Sequence, residues 1–218
     1  LSQMDGLRAV YALGYIPAVV FGDARLPPEA RWVPGWMTVV TSMFLHGGLL
    51  HLVGNMLFLW VFGNNIEDSM GHGRFIGFYL LCGAAAAVAQ TLQAPDATTP
   101  MVGASGAISG VLGAYLLLYP KSEIVVLVPL GIILYPLRLP AVLVLGLWFG
   151  LQFLNAAATP AEEAGIAFWA HVGGFVAGVA LIPLFKSADV PWFGGGRRQI
   201  GRPRRMRGDG PRQPGPWG

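Results

Sequence analysis

Long apolar runs broken by short polar breaks organise this chain. Leu49 to Gly63, Phe75 to about Leu92, Met101 to Tyr119, Ala141 to about Ala157 and Gly165 to Phe185 each approach the roughly 20 residues that a membrane-crossing helix needs. They predict five spans. Two further apolar stretches do not reach that length. Ala9 to Phe21 has thirteen residues and contains Pro17, and Ile124 to Tyr135 has twelve and contains Pro129 and Gly131. The second reads as a loop at the membrane interface, with a half-helix as the alternative. Trp36 to Leu45, ended by His46-Gly47-Gly48, reads as an interfacial or re-entrant segment. Polar breaks fall at 22–35, 64–74, 93–100, 120–123 and 159–163. The fold class these runs predict is an all-α, polytopic membrane helix bundle.

Composition supports that reading. Of 218 residues, 54% are hydrophobic and 11% charged, where soluble domains carry about 25% charged residues, and the mean hydropathy is +0.57. The net charge of +3 hides an asymmetry: eight of the fourteen Lys and Arg residues lie from Lys186 onward. That basic, Pro- and Gly-rich tail, 188–218, is expected to be disordered and cytoplasmic. The loops 158–164 and 93–100 then fall outside and carry no Lys or Arg. The loops 64–74 and 120–140 fall inside and hold Arg74, Lys121 and Arg138. Five spans put the N-terminal segment outside, which argues for a sixth helix upstream of Leu1 and for a fragment or processed chain. Three regions result: 1–35, an N-terminal segment and outer loop; 36–187, the membrane domain; and 188–218, the tail. A single cysteine, Cys82, allows no intrachain disulfide. The tail could suggest nucleic acid, but a membrane anchor argues against that partner; the bilayer is the partner implied.

Few polar residues interrupt the spans, and such residues are functional candidates by default. Ser105 lies between Gly103 and Gly106 in or near the first turn of a helix whose Gly106, Gly110 and Gly113 leave a smooth face for a neighbour. Alone, it reads more simply as a small packing residue, as does Ser109. His171 lies near the start of another span and could serve as the base that a serine nucleophile requires. His51 and Asn55, four apart, share one helical face. They could donate to an oxyanion together with the Ser105 backbone N–H, or act as glue between helices. The topology brings Ser105, His171, His51 and Asn55 to the same side at similar shallow depth. A zinc site built on His46, His51 and His171 would need another ligand, and no HExxH pair or nearby carboxylate supplies one. Neither metal nor cofactor is implied. Glu67 reads as a local structural partner, to backbone or Arg74, and His72 as a solvated loop residue.

Together these residues resemble the rhomboid family of intramembrane serine proteases over roughly residues 36–186. Three segments carry the resemblance, in the family's order: His46-Gly-Gly-Leu-Leu-His51-Leu-Val-Gly-Asn55, Gly103-Ala-Ser105-Gly106, and Ala170-His171-Val-Gly-Gly-Phe175. It implies a six-helix core, here with its first helix absent, and residues 22–48 as a membrane-embedded loop. It also implies a Ser105–His171 dyad, an oxyanion hole of His51, Asn55 and the Ser105 N–H, and transmembrane proteins as substrates. A bacterial plasma membrane suits the compact core and basic tail, with a mitochondrial relative as the alternative. Some members place an aromatic ring four residues after the serine, stacked on the histidine. Here that position is Ser109, so His171 needs another support. Two rival readings remain: a rhomboid relative that binds transmembrane clients without cutting them, and a transporter using His51 and His171 as a proton relay.

Overall fold

In a computed structural model, residues 3–159 and 167–194 are described. Six helices and one β-hairpin carry the architecture. They are α1 (Gln3–Leu13), α2 (Leu49–Met70), α3 (His72–Gln93), α4 (Ser105–Leu118), the strands β1 (Glu123–Leu130) and β2 (Ile133–Pro140), α5 (Ala141–Ala158) and α6 (Phe168–Phe185). Among the described residues α2, α3, α5 and α6 are long and apolar enough to cross a membrane. The protein is an integral, multi-pass membrane protein. The five predicted spans correspond to α2 through α6. The tail beyond Gly194 and residues 160–166 lie outside the described residues.

α4 is the central helix. Eleven of its fourteen residues are buried, on every side, as expected of a helix apolar all round. Around it Phe62, Ile66, Phe78, Cys82, Leu145, Phe175 and Ile182 from the other four spans form the core with Ile108, Val111, Leu112 and Leu118. The contact with α6 is close because both partners are bare. A Cβ on Gly174 would lie 2.0 Å from the Gly106 carbonyl oxygen, and one on Gly178 only 1.9 Å from that of Gly110.

α2 differs from expectation. Residues 64–70, predicted as loop, are helical, and the helix reaches them through a π-helical turn at Leu59–Gly63. Phe62, Ile66 and Met70 lie on one buried stripe, so packing holds this polar segment helical. The true break is Gly71, whose φ of 87° lets the chain leave α2 and enter α3 at once. His72 is therefore the first residue of α3 rather than a loop residue, and its Nδ1 pairs with Glu67, not Arg74 with Glu67.

The second correction concerns 124–135. This segment is neither an irregular loop nor a half-helix but most of an antiparallel hairpin in which Glu123 faces Pro140 and Leu130 faces Ile133. Gly131, with φ 65° at the first turn position, closes it through two residues. The bundle is helical, with this hairpin as its one sheet among the described residues.

The segment between α1 and α2 holds no helix long enough to cross a membrane. It runs through short helical turns at Pro17–Val20, Gly35–Met37, Thr38–Thr41 and Ser42–Phe44, and Pro17 sits at the start of its turn, where its missing N–H costs nothing. This segment is pinned to the loop before α4. Tyr15 and Met101 exchange backbone hydrogen bonds of 2.9 and 2.7 Å, the Ala18 N–H donates to the Ala97 carbonyl at 3.1 Å, and the Gly103 N–H donates to the Ser42 carbonyl at 2.9 Å. Tyr15, fully buried, also bonds Thr91 of α3 through its hydroxyl. Burial raises the Tyr15 phenol above its ordinary pKa, so it stays a neutral donor.

Candidate active site

Ser105 is the first residue of α4. Gly103, two residues earlier, has φ 126°, and a Cβ there would lie 2.8 Å from both Cε1 and Nε2 of His51. Glycine is required twice over at 103, for the backbone turn and for the imidazole packed against it. His51 is anchored from its other side, where the Gly47 N–H donates to Nδ1 at 3.3 Å. Because Nδ1 accepts, the neutral ring carries its proton on Nε2 and presents a donor beside Gly103. Asn55, one turn along α2, is buried and donates one amide hydrogen to the His51 carbonyl at 3.0 Å. The second hydrogen of that amide remains for another acceptor.

His171 comes from the first turn of α6. Its Nε2 is 2.8 Å from the Ser105 Oγ, and its Nδ1 is 2.7 Å from Oε1 of Gln152 on α5. An amide oxygen only accepts, so Nδ1 holds the ring proton and Nε2 accepts from the serine hydroxyl. An imidazole set in this way takes the hydroxyl proton as the oxygen attacks an electrophile. The Trp148 ring lies 6.1 Å from the His171 ring, tilted 38°.

Ser105, His171, His51 and Asn55 all line one cavity of about 790 Å³, together with Gln152 and Trp148. The structure thus brings together all four residues singled out from the sequence. His46 is drawn in only as a neighbour of His51, with ring centroids 5.3 Å apart and edge to face. Burial first, and then repulsion from His51 when both rings would be protonated, lowers its pKa. Among the described residues no cluster of three or more His, Cys, Asp or Glu side chains is arranged to hold a metal, and both nitrogens of His171 are taken. Ser109 donates to the Ser105 carbonyl at 2.6 Å and serves the helix.

Gln152 was not among the residues expected from the sequence. It holds His171 by a hydrogen bond to Nδ1 rather than by stacking on the ring. One signal could have revealed it: a glutamine within an eighteen-residue apolar helix, four residues after Trp148 and so on the same face.

The profile of the family described as the Rhomboid domain matches residues 34–188. The chain belongs to the rhomboid family. Among its relatives this rhomboid is 32% identical, over 143 residues, to Rhomboid protease GluP of Bacillus subtilis (66% of this chain, 25% of that protein). It is 30% identical, over 190 residues, to the mitochondrial Rhomboid protein 1 of Saccharomyces cerevisiae (78% of this chain, 51% of that protein). It is 27% identical, over 198 residues, to the mitochondrial Presenilin-associated rhomboid-like protein A of Danio rerio (80% and 47%). The rhomboid chain spans between a quarter and half the length of these relatives.

Proposed function

We propose that this rhomboid is an intramembrane serine endopeptidase that cleaves transmembrane proteins near the membrane face on which Ser105 lies. The observation that carries the reading is the 2.8 Å contact between the Ser105 hydroxyl and His171 Nε2, with Nδ1 already committed to Gln152. Family membership and the named protease among the relatives support it.

Ser105 Oγ attacks the substrate carbonyl carbon while its proton passes to Nε2. The carbonyl oxygen becomes an oxyanion that accepts from His51 Nε2–H, the free Asn55 amide hydrogen and the Ser105 backbone N–H. The imidazolium then gives its proton to the leaving amine, the C–N bond breaks, and an acyl-enzyme remains. Water, deprotonated by the same imidazole, attacks the ester, and the serine recovers its proton as the acid leaves. The substrate helix must unwind where it is cut, because its own hydrogen bonds otherwise shield the peptide bond.

The membrane we assign is a bacterial plasma membrane, supported by the Bacillus relative and the basic run after Lys186. Relatives of mitochondrial origin make fractionation of the source cell the test of this part.

Labelling of the purified protein with a fluorophosphonate, beside Ser105→Ala and His171→Ala, tests the chemistry, together with cleavage of a helical transmembrane reporter. Labelling and cleavage lost in both variants are the expected result. Cleavage retained by Ser105→Ala overturns the serine mechanism. A wild type that neither labels nor cleaves but retains transmembrane helices favours the client-binding reading.

A further inference from the structure

The hairpin β1–β2 has no part in the site above. Between Glu123 and Arg138 every residue is uncharged, and Tyr135 is the only one with a polar side chain. Both faces of the ribbon are therefore apolar. Ile124 packs on the bundle core, but Val125, Leu127, Leu130, Ile132, Ile133 and Leu134 are all more than half exposed, Ile132 completely. The charges cluster at the root, where Lys121 precedes β1 and Arg138 lies 3.7 Å from Glu123.

The root is fixed near the membrane boundary. α4 has fourteen residues, about 21 Å of helix, against a hydrocarbon core of about 30 Å. It starts at Ser105 and ends at the hairpin, so the hairpin leaves the bundle on the opposite face. Hydrogen bonds from Ala141 N–H to the Ser122 carbonyl (2.8 Å) and from Val142 N–H to the Pro120 carbonyl (2.9 Å) clamp the strand bases to the start of α5.

Water and the bilayer centre are both poor surroundings for such a ribbon. In water it would expose two apolar faces about 27 Å long, and a lone two-stranded sheet is barely stable there. In hydrocarbon its two open edges would leave backbone groups unpaired. The register reduces that second cost without removing it. Pro129, Pro136 and Pro140 face Leu134, Leu127 and Glu123, all positions of the same parity. Since proline donates nothing, these are the pairs whose N–H groups point outward. Three outward donors are thereby absent. The interfacial layer covers apolar side chains and hydrates the remaining edge groups.

We propose that the hairpin Glu123–Pro140 lies in the lipid interfacial layer on the face opposite Ser105, its tip reaching the acyl-chain boundary and its charged root the headgroups. The inference rests on the fold and holds whether or not the protein is a protease.

Ile132→Cys and Val125→Cys, each labelled with an environment-sensitive nitrobenzoxadiazole dye, test it in vesicles of phosphatidylcholine and phosphatidylglycerol. Buried Cys82 serves as the labelling background in the wild type, and unchanged thermal unfolding shows that the variants are folded. The expected result is blue-shifted emission at both positions, strong quenching by lipids bearing a nitroxide high on the acyl chain, weaker quenching by one near the chain end, and little by aqueous iodide. Full iodide quenching without lipid quenching overturns the proposal. So does protection that disappears when vesicles are diluted to one protein each, which would assign the surface to a second copy of the chain.

Discussion

Gln152 accepts the Nδ1–H of His171 at 2.7 Å, and this is the one side-chain hydrogen bond that the described residues show between α5 and α6. The bond does two things. It fixes which ring nitrogen faces Ser105, and it ties that choice to the position of a neighbouring helix. α5 itself is lightly held, with Ala141, Leu145 and Ala156 its buried residues. Gln152→Leu keeps the volume but removes the acceptor. Its kcat is expected to fall by between about ten- and a thousand-fold, the range spanned by losing an oriented base, with a smaller change in KM. Gln152→Glu retains an acceptor and should recover much of the loss. Equal loss in both variants would mean that the glutamine matters only for packing.

Removing His51 or Asn55 tests the donors rather than the nucleophile. Each variant to alanine is expected to lower kcat by about a hundred- to a thousand-fold. Steady-state cleavage of a transmembrane reporter, with KM nearly unchanged, is the readout. Asn55→Ala has a second expected effect, since it also frees the His51 carbonyl inside α2.

The dyad bridges α4 and α6, so their spacing sets its length. Gly178→Ala puts a methyl group where 1.9 Å separates it from the Gly110 carbonyl oxygen. Overpacking of this kind costs about 1–3 kcal/mol. A lowered unfolding midpoint in detergent and slower fluorophosphonate labelling should appear together. Gly146→Ala, on α5 with nothing within 4 Å of the added carbon, should change neither for the worse.

Acid should loosen the turn before α2. His46 has its pKa held below the ordinary imidazole value by burial and by His51. In the unfolded chain it takes up a proton as pH falls through about 6.5, while the folded protein resists. The stability this residue contributes is present above that pH and is lost as pH drops toward the folded value. The unfolding midpoint of the wild type should therefore fall more steeply between about pH 7.5 and 5.5 than that of His46→Gln. Parallel curves would show that His46 does not titrate on unfolding.

The site was legible because a membrane makes polar side chains conspicuous. Ser105, His51, Asn55 and His171 each interrupt an apolar run at a definable depth, and the structure gathers them in one cavity. Gln152 escaped because it stands in no motif and its partner is nineteen residues away on another helix. The hairpin escaped for a different reason. Strand recognition relies on apolar and polar residues alternating, and a ribbon apolar on both faces shows no alternation. At the end of α2 the polar cluster Asn64 to Asp68 outweighed a signal that was present, the four-residue spacing of Phe62, Ile66 and Met70.

The π-helical turn at Leu59–Gly63 gives α2 a property that composition does not report. Such a turn is an α-helix with one residue to spare. Deleting one of those five residues would let the helix close into a regular ladder with its two halves still in phase, because the wide turn already absorbs the surplus residue that an unbroken α-helix would answer with a rotation of about 100°. Phe62, Ile66 and Met70 would stay in the core and His51 and Asn55 would stay beside Ser105. The same deletion made elsewhere in α2, where no wide turn can take it up, would swing the two donors away from the serine while insertion into the bilayer proceeded. In this helix the tolerance to a lost residue is local, confined to the turn that already holds one too many.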